Sequence, residues 1–195
     1  LANLGARAEA PLLQRLGSPA DLCDWPLPKA WKGLADKEGS GEKQGWVRPD
    51  FDDSAWKPIG VPGTFESQIP ELAGYDGVFW YRLRFTAPKG ICPEGLRLEI
   101  GPVDDESWIW LNGQSLGEVT RETHPEDYWR FPRVYEMKPG MLREGENVLV
   151  VKVRDLRQSG GILGTPRLTA KGPWLRSYYL QEPESVDDPY RYYRW

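Results

Sequence analysis

An all-β fold, an antiparallel β-sandwich or jelly roll, is what this sequence of 195 residues predicts. Three observations predict it. Short apolar runs alternate with polar residues at a period of two, turn residues separate these runs, and no long helical pattern interrupts them. Strands without intervening helices pair antiparallel, and they bury their apolar faces by folding one sheet onto another. The 21 Gly and 18 Pro supply turns, and the 10 Trp and 9 Tyr supply flat rings for a core or for stacking on a sugar.

The elements follow in order. Leu4, Ala8, Leu12 and Leu16 fall at four-residue spacing, which gives residues 1–16 mild helical character that Pro11 interrupts. Residues 17–45 are rich in Pro, Gly and Lys and read as irregular, so residues 1–45 are expected to be an N-terminal extension. The sandwich is expected over residues 46–172. Phe51-Asp52-Asp53-Ser54-Ala55-Trp56 is a polar turn with an aromatic anchor at each end. From Val78 to Phe85, Phe79, Tyr81, Leu83 and Phe85 share one face of a half-buried strand. Leu96, Leu98 and Ile100 form another strand, closed by Gly101-Pro102. Trp108 to Leu111 leads into Asn112-Gly113, a pair that suits a type I′ hairpin because both central residues need positive φ. Leu149, Val151 and Val153 share one face of the most β-branched run, and Arg167 to Ala170 reads as a closing strand. Residues 173–195 crowd Tyr178, Tyr179, Tyr190, Tyr192, Tyr193 and Trp195 into an aromatic tail, expected to pack on the sandwich or on a partner.

Charge and composition exclude several functions. A net charge of −4 provides no basic field for a nucleic-acid backbone, so nucleic acid is not expected as a partner. No apolar run approaches the length of a membrane span, and residues 1–16 carry Arg7, Glu9 and Arg15 where a signal segment would be apolar. Cys23 and Cys92 make neither a disulfide framework nor a zinc site, and whether they pair is left open by the sequence. His124 is the only histidine and lies in a loop, which rules out a His-rich metal site, and no G-x-S-x-G elbow is present for a serine relay. Adjacent carboxylates such as Asp52 and Asp53 attract hard cations, but no third ligand accompanies them, and they read as a turn accepting backbone N–H groups. Asp104, Asp105 and Glu106 are consecutive, so neighbours point to opposite faces and make a poor acid/base pair for hydrolysis. No catalytic residue, metal or cofactor is expected. Arg82 and Arg84 alternate with the apolar face of their strand, and Arg82 is expected to pair with a buried acid and pin the sheet.

Six ordered motifs carry a resemblance. They are Phe51–Trp56, Val61-Pro62-Gly63-Thr64-Phe65-Glu66, Tyr75-Asp76-Gly77-Val78-Phe79-Trp80-Tyr81-Arg82, Val103-Asp104-Asp105 through Leu116-Gly117, Glu144 to Leu149, and Asp155 to Ile162. Together they make residues 46–168 resemble the sugar-binding, galactose-binding-like jelly-roll domain of family 2 glycoside hydrolases, with Phe65 where the family usually has Trp. The stretch is also similar to the β-sandwich insert of sialate O-acetylesterases, toward which Trp129 to Tyr135 leans. The resemblance covers a little over half of the chain. It implies an accessory module that is not itself an enzyme, partnered by the catalytic domain of a glycosidase or carbohydrate esterase. Secretion or a periplasmic location accords with such systems, although the residues themselves leave the compartment unknown.

The candidate carbohydrate-binding residues are Trp129, Tyr128, Asp155, Gln158, Arg130 and Glu122. Trp129 and Tyr128 lie on the long loop after the hairpin, where a ring could stack on a sugar while Arg130 or Glu122 bonds its hydroxyls; burial under the loop or against another domain is the alternative. The resemblance implies that Asp155 reaches into a neighbouring catalytic pocket, with Gln158 on the same loop and Gly160 and Gly161 turning it; capping of the turn is the alternative. Two readings therefore stand: a module that binds oligo- or polysaccharide, and a purely structural sandwich that positions a catalytic domain. Sugar binding requires Trp129, Tyr128 and Asp155 to face a common open groove.

Overall fold

The two strands with the longest apolar alternation lie side by side at the centre of the molecule. A computed structural model describes residues 24–87 and 96–170. Its strands are β1 (Asp24–Pro26), β2 (Ala30–Ala35), β3 (Lys57–Gly60), β4 (Gly63–Thr64), β5 (Gly77–Thr86), β6 (Leu96–Gly101), β7 (Val103–Asp104), β8 (Glu106–Leu111), β9 (Gln114–Val119), β10 (Arg133–Glu136), β11 (Glu146–Asp155), β12 (Gly161–Ile162) and β13 (Arg167–Ala170). A single helical turn, α1 (Phe65–Gln68), follows β4, and a 3-10 turn (Pro70–Leu72) follows α1. The expectations for residues 1–16, Cys23, Cys92 and residues 173–195 lie outside the described residues.

All the pairings are antiparallel. One sheet has the order β3-β2-β5-β11-β8-β9, the facing sheet β1-β13-β6-β10, and a small third sheet β4-β12-β7 closes one end. The sandwich is what the alternation predicts. Phe79, Tyr81, Leu83 and Phe85 of β5 point inward beside Val153, Val151, Leu149 and Asn147 of β11, and they meet Leu96, Leu98, Ile100 and Leu168 from the other sheet. Asn112 at φ 52° and Gly113 at φ 79° form the expected left-handed hairpin turn between β8 and β9.

One expectation is corrected. Residues 24–35, read as irregular, contain β1 and β2, and β2 lies between β3 and β5 in the larger sheet. The inward positions of β2 are Trp31, Gly33 and Ala35, so only the first carries a large apolar signal. Packing explains the glycine: a Cβ at Gly33 would lie 2.5 Å from the ring of Phe79.

The outer face of the six-stranded sheet is covered as well. Trp80 is fully buried under Trp46 and Trp56 and stacks on Trp110 at 5.6 Å. Asp36 anchors the covering loop by accepting hydrogen bonds from Ser40 N–H, Gly41 N–H and Trp80 Nε1–H. Arg82, 1% exposed, is the predicted pin. Its Nε donates to Asp53 Oδ2 at 3.0 Å, and its other nitrogens donate to the carbonyls of Trp46 and Arg48. Lys32 at 3.1 Å and Arg84 at 3.4 Å complete the shell around Asp53. Asp52 forms the predicted turn by accepting Ser54 N–H at 2.9 Å.

Candidate functional site

The third sheet determines what meets at its end of the sandwich. Gly161 of β12 pairs with Thr64 of β4 on one side and with Asp104 of β7 on the other. That register brings together Glu66 of α1, Asp104, and Asp155 at the end of β11, three acids that are distant in sequence. Residues 156–160 form the loop between β11 and β12. Gly160 closes it tightly, because a Cβ there would lie 2.5 Å from Asp155 Cβ and 2.8 Å from the Phe65 ring.

Asp155 is 2% exposed. Its Oδ1 accepts Arg157 N–H at 3.0 Å, while its Oδ2 is buried without a hydrogen-bond partner. Glu66 Oε1 accepts Gly160 N–H at 2.8 Å, and its Oε2 is likewise buried and unpartnered. Burial, above all, pushes the Asp155 carboxyl up to about 7; the Arg157 N–H opposes this, and the nearby Glu66 and Asp105 add to it. Burial also leads in pushing Asp104 up to about 6, with Asp105 and Glu66 adding and Arg133 opposing. Tyr81 contributes a fully buried hydroxyl whose pKa burial raises far above the usual phenol range.

The turn at Asp105 and Glu106 joins this acid group to the loop after the hairpin. Asp105 Oδ2 accepts Leu156 N–H at 2.9 Å, and its backbone carbonyl accepts Arg133 Nη2 at 2.6 Å. Arg133 is wholly buried and also donates to Ser107 Oγ at 3.0 Å and to the Phe131 carbonyl. Burial lowers its pKa to about 10, while Tyr135 and the nearby acids resist. Glu106 Oε1 accepts Arg121 N–H at 3.0 Å, and Glu106 Oε2 lies 2.5 Å from Arg154 Nη2. Both ends of the 120–132 loop are therefore fastened to the strand that also holds the Asp155 loop.

On the 120–132 loop, Trp129 is 46% exposed with Arg130 over its ring at 5.2 Å, and Tyr128 is half-buried with Arg121 over its ring at 5.2 Å. Glu122 and Arg130 are exposed. His124 packs tilted on Phe131 at 3.9 Å, which makes it part of the loop's own packing. Gln158, exposed at φ 73°, marks the tip of the Asp155 loop. The two loops leave the sandwich at the same end, since Val119 pairs with Ser107 and Arg154 with Glu106. Among the described residues, no hydrogen bond, ion pair or ring contact joins Trp129 or Tyr128 to residues 155–160. Asp155 faces inward and the two rings outward, so the three do not share an open groove. No group of three or more His, Cys, Asp or Glu among the described residues is arranged to hold a metal ion.

Sequence reasoning did not single out Glu66 or Arg133. Glu66 stood in a quoted motif, but its weight comes from Asp155 and Gly160, which only the third sheet brings near. Arg133 opens a strand whose alternation is short, and nothing local marks it as buried.

An all-β module of this kind, with its 120–132 and 156–160 loops gathered at one end, is a β-sandwich domain. Residues 41–159 match the family described as the beta-galactosidase second all-beta domain, and the chain belongs to that family, an accessory domain of family 2 glycoside hydrolases. It is 33% identical over 132 residues to a beta-galactosidase of Vibrio cholerae, a match covering 59% of this chain and 12% of that protein. It is 30% identical over 122 residues to beta-galactosidase BoGH2A of Bacteroides ovatus, covering 57% and 14%. The chain thus spans only a small part of these relatives. Its fold is shared with a Bacteroides uniformis beta-glucuronidase (24% identity, TM-score 0.60, 76% of this chain and 18% of that one). It is shared also with the Ruminococcus gnavus β-glucuronidase solved in complex with D-glucuronic acid (18% identity, TM-score 0.64, 76% and 29%).

Proposed function

We propose that this chain is a non-catalytic module of a family 2-type glycoside hydrolase that, at the loop end of its sandwich, contacts carbohydrate with the exposed Trp129 loop alone, a narrower site than the three-residue groove expected from the sequence, since Asp155 is buried. The observation that supports this most is the fastening of the Trp129 loop and the Asp155 loop to one turn, Asp105-Glu106. Trp129 offers a flat, exposed ring for a pyranose face, with Arg130 and Glu122 beside it for hydroxyls. The partner is an oligo- or polysaccharide held jointly with the catalytic domain of the parent enzyme, and Gln158, exposed at the tip of the Asp155 loop, is the contact nearest that domain.

A second reading rests on a specific observation. Asp155 is buried and caps its own turn, as it would in a sandwich that only positions a catalytic glycosidase or carbohydrate-esterase domain. Affinity electrophoresis against a panel of glycans separates the two. Sugar binding predicts retardation that Trp129→Ala removes; no retardation on any glycan leaves the positioning role alone.

A further inference from the structure

The loop that covers the outer face of the six-stranded sheet carries a depression of its own. Its volume is about 240 Å³, and Gln44, Gly45, Arg48, Asp50, Phe51 and Asp52 line it. Sites for drug-sized ligands run to about 300–1,000 Å³, so one small ring fits here and an oligomer does not.

The frame of the depression is fixed from beneath. Buried Arg82 donates to the carbonyls of Trp46 and Arg48, and Arg84 Nη2 donates to the Phe51 carbonyl at 2.9 Å. The Phe51 N–H closes onto the Arg48 carbonyl at 3.2 Å, and the Arg48 N–H onto the Gly45 carbonyl at 2.9 Å, with Gly45 turning the chain at φ 77°. Gln44 is oriented too: its Oε1 accepts Trp46 Nε1–H at 3.2 Å, and its Nε2 donates to Ser40 Oγ at 2.7 Å. A ligand therefore meets walls already in place, and little ordering cost opposes it.

Those walls offer two chemistries side by side. Phe51 is half-buried, with Arg82 at 5.4 Å from its ring centroid and Trp46 and Trp56 packed at 6.3 and 5.9 Å. Arg48 and Asp50 form a fork, Nε to Oδ1 at 3.1 Å and Nη2 to Oδ2 at 2.7 Å. Both side chains are exposed, so the fork adds little to stability. It adds recognition instead. The guanidinium keeps N–H donors to spare, each carboxylate oxygen keeps a lone pair, and the pairing fixes them beside one another. The bond from Arg48 also holds the Asp50 carboxyl below the usual carboxylate range. Two vicinal hydroxyls of a pyranose match this arrangement, one donating to Asp50 and the other accepting from Arg48, while a C–H face of the ring lies on Phe51.

We propose that this depression is a second carbohydrate subsite, which takes one terminal sugar ring through two vicinal hydroxyls held by Arg48 and Asp50. The class of ligand rests on the reading above that the module contacts carbohydrate; the place and the residues do not. The two sites are well apart. The Trp129 loop leaves the sandwich beside Glu106, at the start of β8, whereas a Cβ at Gly113, just past the end of β8, would lie 3.2 Å from Pro49 of the covering loop. The length of β8 separates them, roughly 20 Å. A rigid module with a contact at each end holds a branched glycan, or two chains, more firmly than either contact alone.

The test is an amide NMR titration of the isotopically labelled 195-residue chain with the methyl glycosides of glucose, galactose and mannose. Tetrahydropyran serves as a ring without hydroxyls. The amides of Gly45, Arg48, Phe51 and Asp52 are followed beside those of residues 120–132. At least one glycoside should shift the first group saturably, with a dissociation constant on the order of 1–10 mM, and tetrahydropyran should not. Asp50→Ala and Arg48→Met each remove one arm of the fork at an exposed position, and each should weaken that binding by about tenfold or more. Trp129→Ala should leave it unchanged. No saturable shift at Gly45, Arg48 and Phe51 with any glycoside overturns the subsite, as does a shift that both fork variants retain or that tetrahydropyran reproduces. Residues 120–132 report on the loop site in the same spectra, so a silent loop and a silent depression are distinct results.

Discussion

Two buried carboxylates in this molecule live in opposite surroundings. Asp53, on the outer face of the six-stranded sheet, is ringed by Arg82, Lys32 and Arg84. Burial pushes its pKa up, but those hydrogen bonds and charges outweigh burial and hold it below the usual value. Asp155, at the closed end, faces Glu66 and Asp105, and burial with those acids raises it. The first acid is fully satisfied and pins a covering loop. The second is left with an oxygen that only a proton or a ligand donor can satisfy. A buried acid surrounded by cations is thus a structural part, whereas one surrounded by acids stores a response.

The largest expected effect lies on the Asp53 side. Arg82→Met removes the closest partner of a buried carboxylate and should cost about 3–5 kcal/mol, read as a lower urea midpoint. A loss below ~1 kcal/mol would mean that Lys32 and Arg84 suffice to hold Asp53, and the pin would lose its meaning. At the acid end, Gly160→Ala forces a methyl group against Asp155 and Phe65 and should cost about 1–3 kcal/mol. It should also raise amide exchange in residues 156–160 before global unfolding. A variant with unchanged exchange would show that the loop is not tightly wedged.

Acidity should act on the two regions in opposite directions. Asp53 has a depressed pKa, so its stabilisation is present above the ordinary aspartate range and is lost as pH falls through it. Asp155 has a raised pKa, so its protonated form stabilises the fold most below about pH 4, and that contribution is lost as pH rises toward 7. Urea midpoints followed from pH 4 to 8 should therefore carry a declining component that Glu66→Gln flattens and Arg82→Met leaves in place. The smallest effect belongs to Trp129→Ala. Nearly half of the residue is exposed and its ring contact is with the neighbouring Arg130, so stability should change by less than about 0.5 kcal/mol, while any retardation on glycan gels disappears. A larger loss of stability would reassign Trp129 to loop packing.

Most of the sandwich was legible because its inward residues alternate without interruption, as in Phe79, Tyr81, Leu83 and Phe85. Arg82 was legible too, since a cation in the outward register beside Trp80 calls for a buried partner. β2 was not, because the Phe79 ring occupies the space that an apolar side chain at Gly33 would have advertised. The site was legible only in part. Asp155 and the aromatic loop were marked by motif and composition, but their burial was not, and Glu66 has meaning only through the register of β4, β12 and β7. Contacts set by a three-way strand junction leave no local periodicity to read.

The Trp46–Trp56 cover makes the six-stranded sheet a middle layer, with the facing sheet below it and a loop of residues 36–56 above. A layer enclosed on both sides has little freedom to breathe. Among the described residues, backbone amides at the junction of β5 and β11 should be the last to exchange with heavy water, and those of the 120–132 and 156–160 loops among the first. The molecule then behaves mechanically as a stiff plate with a soft rim, and any neighbour that docks at the rim is held at an orientation set by that plate.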